Sequence, residues 1–72
     1  MAVSYKKLWK LLIDKNMKHT DLRAITGIST TTLAKLGKDE NVSTDILAKI
    51  CKAMECDVGD IMEMVNDEHA DY

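Results

Sequence analysis

The stretch Leu22-Arg23-Ala24-Ile25-Thr26-Gly27-Ile28-Ser29-Thr30-Thr31-Thr32-Leu33-Ala34-Lys35-Leu36 decides the fold. Two short segments with helical apolar spacing flank a glycine. The first covers about residues 18–26, with Leu22 and Ile25 as apolar contacts and Asp21 near the positive helix end. Gly27 stops it, because glycine enters the left-handed region without a Cβ clash. Ser29 supplies a capping oxygen for the next helix, Thr30–Gly37. Ile28 before the cap and Leu33 after it form a hydrophobic staple. A helix, a tight glycine turn and a second helix of fixed phase make a helix-turn-helix. Leu22 and Ile25 are expected to meet Ile28, Leu33 and Leu36, leaving the second helix with a bare outer face.

The staple recurs further on. Val42, Ser43 and Leu47 start a helix over about residues 44–55, with Ile46, Leu47, Ile50, Cys51 and Met54 on one face. Cys56, Asp57 and Ile61 start another over about residues 58–65, where Ile61, Met64 and Val65 offer an apolar face with Met62 beside it. Towards the N-terminus, Tyr5, Leu8, Leu11 and Leu12 mark a helix over about residues 4–16, with Ser4 as its cap and Trp9 as packing. Met54, Met62 and Met64 are expected in the core. The predicted architecture is all-α: a compact five-helix bundle over residues 1–66, followed by a frayed acidic tail, residues 67–72.

Composition narrows the function. The chain has 72 residues, no proline and three glycines, too few turn formers for a domain of many short strands. A chain of this size has one small core and little room for a walled catalytic cleft. No carboxylate pair or nucleophile–histidine pair stands out, so an enzyme is not expected. No apolar run approaches a membrane span, and no signal-peptide core is evident, so the expected address is the cytoplasm. Cys51 and Cys56 are five residues apart, poorly placed for a disulfide or a shared metal, and His19 and His69 are isolated. Neither metal nor cofactor is expected. The net charge of −2 conceals a division: residues 1–38 hold eight bases and two acids, a sum of +6, and residues 39–72 hold two bases and ten acids, a sum of −8. One half is suited to a polyanion.

Taken with its flanks, this pattern resembles the phage-repressor-like helix-turn-helix regulators, the Cro/cI-type or xenobiotic-response-element family, and in particular its short stand-alone members. The stretches that carry the likeness are Leu12-Ile13-Asp14-Lys15-Asn16-Met17, Thr20-Asp21-Leu22-Arg23-Ala24-Ile25-Thr26-Gly27-Ile28-Ser29, Leu33-Ala34-Lys35-Leu36, Val42-Ser43-Thr44-Asp45-Ile46-Leu47-Ala48-Lys49-Ile50-Cys51 and Cys56-Asp57-Val58-Gly59-Asp60-Ile61. They span roughly residues 3–65. The resemblance implies a lambda-repressor-like DNA-binding domain whose third helix enters the major groove of double-stranded DNA. By position it implies base contacts from Thr30, Thr31, Thr32 and Lys35. It implies phosphate contacts from Lys18, His19, Thr20, Arg23, Ser29, Lys38 and Asn41.

The chemistry is consistent with that assignment. Threonine hydroxyls donate and accept at base edges, their methyls meet the thymine methyl, and lysine reaches guanine or phosphate. Lys18 stands where many relatives place a small capping residue. The recognition helix also lacks the Gln, Asn or Arg that make bidentate base contacts, which points to modest specificity or to help from DNA shape. Repression by occupancy is the simplest mechanism. A weak homodimer through Ile61, Met62, Met64 and Val65 of the C-terminal helix is expected to assemble on DNA. The rival reading is an antitoxin-like or anti-repressor interaction module that keeps the fold and uses its acidic half.

Overall fold

A computed structural model describes residues 2–66 of the chain. The order is β1 (Ala2–Ser4), α1 (Lys6–Asp14), α2 (His19–Thr26), α3 (Thr30–Gly37), α4 (Thr44–Met54), a single 3-10 turn (Val58–Asp60) and β2 (Glu63–Val65). Tyr5, Leu8, Leu12, Leu22, Leu36, Ile50 and Ile61 are fully buried, and Val3, Ile28 and Met54 complete the core. Each such side chain contributes roughly 1.5–3 kcal/mol by leaving water. α2 packs on both α3 and α4, while α1 and α4 close on the 3-10 turn. No helix among the described residues is long and apolar enough to cross a membrane.

Capping chemistry sets the helix starts. The Ser29 hydroxyl accepts from the Thr32 N–H at 3.1 Å, and the Ser43 hydroxyl from the Ile46 N–H at 3.3 Å. The Asp60 carboxylate accepts from the Asp57 N–H at 3.0 Å, and Asp57 accepts from Val58 at 2.7 Å. The ends share a different device. Asn16, Gly27, Asp39 and Glu55 all lie in the left-handed region, at φ 59°, 74°, 55° and 54°. Three of these ends fold the next residue back, with Met17, Glu40 and Cys56 donating to the carbonyls of Leu12, Lys35 and Cys51 at 2.8, 2.9 and 3.0 Å. These are the reciprocal bonds of Schellman ends.

The fold departs from an all-α, five-helix bundle at both termini. The predicted fifth helix is one 3-10 turn and a strand, and the first three described residues form the other strand. β1 and β2 are antiparallel, with Ala2 opposite Val65, Val3 opposite Met64 and Ser4 opposite Glu63. Ile61, Met64 and Val65 have helical spacing, but Ile61 fills the core and the backbone beyond it pairs with β1 instead of with itself. Ser4 is therefore a buried strand residue whose hydroxyl still accepts from the Lys6 N–H at 3.4 Å, while Tyr5, at the cap position itself, makes no side-chain cap bond. In the first turn of α1 the Leu8 N–H is shared between the Tyr5 carbonyl at 3.0 Å and the distant Ile61 carbonyl at 3.2 Å.

Two side chains, Ile25 and Met64, lie elsewhere than expected. Ile25 is 50% exposed, because α2 turns Leu22 rather than Ile25 to the core. Met64 is 55% exposed on the sheet, whereas Met62, half-buried, packs against the core. The Glu55 turn folds Cys56 back towards Cys51, its N–H donating to the Cys51 carbonyl at 3.0 Å, and both thiols are free. Burial first, and then its neighbour Cys51, pushes the Cys56 thiol above its ordinary pKa. The expected acidic tail, residues 67–72, lies outside the described residues.

Candidate nucleic-acid interface

Gly27 is the left-handed end of α2, and its N–H donates to the Arg23 carbonyl at 2.9 Å. A Cβ placed there would meet nothing within 4 Å. The requirement for glycine is therefore conformational, not the crowding that a tight turn suggests. After it, Ile28 is buried and Ser29 caps α3. Leu36, fully buried, and half-buried Leu33 fix the rotation of α3. That rotation turns Thr30, Thr31, Ala34, Lys35 and Lys38 to solvent.

The three threonines are not equivalent. Thr32 is half-buried, gives its amide to Ser29 and accepts from the Ser29 hydroxyl at 3.0 Å. Its hydroxyl and that of Ser29 are mutually engaged. Thr30 and Thr31 are exposed, and among the described residues their hydroxyls and amides have no hydrogen-bond partner. Two free amides at a helix N-terminus present donors and a positive dipole end to solvent.

Lys35, Thr32 and Asn41 come together with Ser43 and Ile46 around one shallow cleft. Lys35 and Asn41 also line the neighbouring cleft with Ala2, Val3, Asp39, Glu40 and Met64. These two side chains thus stand between the recognition-type helix, the following loop and the small sheet. Ser43 at this cleft was not among the residues expected at the site; its capping position gave no hint of it.

The remaining candidates lie along α2 and at the end of α3. Lys18 precedes α2, and its N–H donates to the Asp21 carboxylate at 2.8 Å, half of a capping box. His19 stacks on Trp9 with ring centroids 4.4 Å apart, tying α2 to α1. Thr20 and Arg23 are exposed, as is Lys38 at the end of α3. Residues 18–38 hold four bases and one acid, a sum of +3. Among the described residues the only ion pair is Lys7–Glu63, at 3.6 Å, so Lys18, Arg23, Lys35 and Lys38 have no acidic partner.

The Ile61 assignment to a dimer surface fails, because this side chain is fully buried within one chain. The apolar helix on which that surface was to rest is a strand, as described above. Met62 and Val65 are half-buried there.

Comparison with known proteins supplies the family. The family model described as the Cro/C1-type HTH DNA-binding domain matches residues 7–67. The chain is 36% identical over 64 residues to YozG, an uncharacterized HTH-type transcriptional regulator of Bacillus subtilis (strain 168), covering 86% of this chain and 76% of that protein. Its structure is similar to the crystal structure of the transcriptional regulator VanUg, with a TM-score of 0.89 and 55% identity over 92% of this chain and 88% of the other.

Proposed function

Since the chain belongs to the Cro/C1-type helix-turn-helix DNA-binding family, we propose that it is a sequence-specific transcriptional regulator that acts in the cytoplasm as a repressor, by occupying its operator. The observation that carries this reading is the outward face of α3. Thr30 and Thr31, with hydroxyls and amides free among the described residues, and Lys35, without an acidic partner among them, share that face. α3 enters the major groove by its N-terminal end. Thr30, Thr31, Thr32 and Lys35 read bases, and the free amides of α3 favour a phosphate. Lys18, His19, Thr20, Arg23, Ser29, Lys38 and Asn41 hold the backbone on either side. Among the threonines, Thr31 carries most of the discrimination, because Thr32 is already bonded to Ser29.

One such module buries roughly 600–1,000 Å² on DNA, so a two-fold site and a pair of chains are part of the proposal. Met64, with half-buried Met62 and Val65 beside it, is the apolar surface left for that contact.

Selection of bound sequences from a random duplex pool tests the reading, and an enriched palindrome is the expected result. Binding should weaken steeply with salt as counterions are released. Lys38→Ala should weaken all duplexes alike and flatten the salt slope by about one, whereas Thr31→Ala should change sequence preference, by roughly 1–3 kcal/mol at one base pair. No enrichment together with salt-indifferent binding would remove the DNA reading. Sedimentation with a selected duplex gives the number of chains per site, and a single chain per site would remove the pair.

A further inference from the structure

Tyr5 joins the start of α1 to the loop after α3. It is 1% exposed and its ring belongs to the core. Its hydroxyl donates to the Glu40 carbonyl at 2.8 Å, and its backbone N–H donates to Oδ1 of Asp39 at 3.0 Å. These acceptors lie 35 and 34 residues away in the chain. They are also the two residues between Lys38 and Asn41. Burial, and then the charge of Asp39, raise the phenol pKa above its ordinary 10.0.

Packing alone does not account for this arrangement. Filling the core needs only the ring, which phenylalanine would supply equally, yet the hydroxyl is spent on a loop carbonyl. Asp39 is held at φ 55°, left-handed backbone that aspartate tolerates less readily than glycine, and the Tyr5 N–H adds a bond to its side chain from outside the loop. The same loop delivers Asn41 to the clefts that it shares with Lys35. The loop is joined to α3 by the Glu40 N–H bond to the Lys35 carbonyl at 2.9 Å, and to the start of α1 by the two bonds of Tyr5.

We propose that Tyr5 is a positioning residue for DNA binding, which through Asp39 and Glu40 holds residues 38–41 so that Lys38 and Asn41 meet the phosphate backbone already ordered. This rests on the phosphate-contacting role given to those two residues above. A preordered loop loses less freedom on binding, so the tie contributes to affinity without touching DNA.

The test is a double-mutant cycle of Tyr5→Phe with Asn41→Ala on a selected duplex, at several salt concentrations and at a temperature where every variant is folded. Tyr5→Phe is expected to lower affinity about two- to tenfold, the worth of one ordering hydrogen bond. The salt slope should become shallower, and the two substitutions should be less than additive. Without DNA, the amides of residues 40–42 should exchange faster in Tyr5→Phe than in the parent. A merely structural hydroxyl would lower the melting temperature and leave loop exchange, affinity and salt slope of the folded protein unchanged; that outcome, or strict additivity, overturns the inference. If Tyr5→Phe folds poorly, Asp39→Ala cuts the other tie and should give the same shallower slope. A parent chain that binds no duplex overturns the DNA reading and this role with it, whereas binding with an additive cycle overturns this role alone.

Discussion

The turn after α2 and the turn after α3 both pass through a left-handed residue, Gly27 at φ 74° and Asp39 at φ 55°. Around Gly27 there is open space, and the residue type alone makes the conformation affordable. At Asp39 the residue type tolerates the conformation less readily than glycine, the Glu40 N–H closes the turn onto the Lys35 carbonyl, and Tyr5 adds one bond to the Asp39 side chain and one to the Glu40 carbonyl. One turn is secured by local chemistry alone, and the other by local bonds together with a tie from the N-terminal end of the chain. The difference separates two parts of the surface. The angle between α2 and α3 is set by short-range chemistry, whereas the loop that carries Lys38 and Asn41 depends on the whole fold being assembled.

Gly27→Val should break the local turn with the largest effect. A β-branched residue held at positive φ costs roughly 2–3 kcal/mol. That corresponds to a fall of about 10–20 °C in melting temperature for a domain of this size. Calorimetry or circular dichroism would measure it, and an unchanged melting temperature would show that the turn does not need its left-handed residue.

At the second turn, Asp39→Ala should cost about 1–2 kcal/mol, because the Tyr5 N–H loses its acceptor. Asp39→Asn keeps an acceptor oxygen and tolerates the left-handed region, so it should cost less than half as much. Equal losses in the two variants would show that the side-chain bond is idle. Ser29→Ala, which removes a cap from α3 but touches neither turn, should cost about 1 kcal/mol by the same melts. It should leave loop exchange at residues 40–42 unaltered, which separates a general loss of stability from a loosened loop.

What could be read from residue order follows the same division. Ser29, Ser43 and Asp57 announce helix starts because a capping oxygen and its staple act within a few residues. Gly27 announces a helix end for the same reason. Asn16, Asp39 and Glu55 end helices too, but none is a glycine, so residue type alone does not mark them as left-handed helix ends. The strand nature of residues 63–65 depends on β1, some sixty residues away in the chain. No local window contains that partner, and the spacing of Ile61, Met64 and Val65 satisfies a helix just as well. At the site, the motif and the order of its flanks were enough for the family. The role of Tyr5 was hidden because a tyrosine in an apolar stripe reads as core, and its hydroxyl bonds appear only once α3 and α1 are docked.

The smallest expected effect is also the sharpest test of the contrast, because it predicts opposite signs. Glu55 ends α4 in the left-handed region at φ 54° and is exposed, with no side-chain hydrogen bond or ion pair among the described residues. Nothing comparable to Tyr5 supports it. A non-glycine residue there carries roughly 1–2 kcal/mol of steric cost. Glycine removes that cost but gains about 0.5–1 kcal/mol of freedom in the unfolded chain. The difference leaves Glu55→Gly stabilising by about 0.5 kcal/mol, a rise of a few degrees in melting temperature. It also removes one negative charge from an acidic half, a change in the same direction. Asp39→Gly relieves the same backbone cost, yet it gives up the bond to Tyr5 and should therefore lower stability. If both glycine substitutions raise the melting temperature, the Asp39 turn is as local as the Gly27 turn, and the long-range tie adds nothing to it.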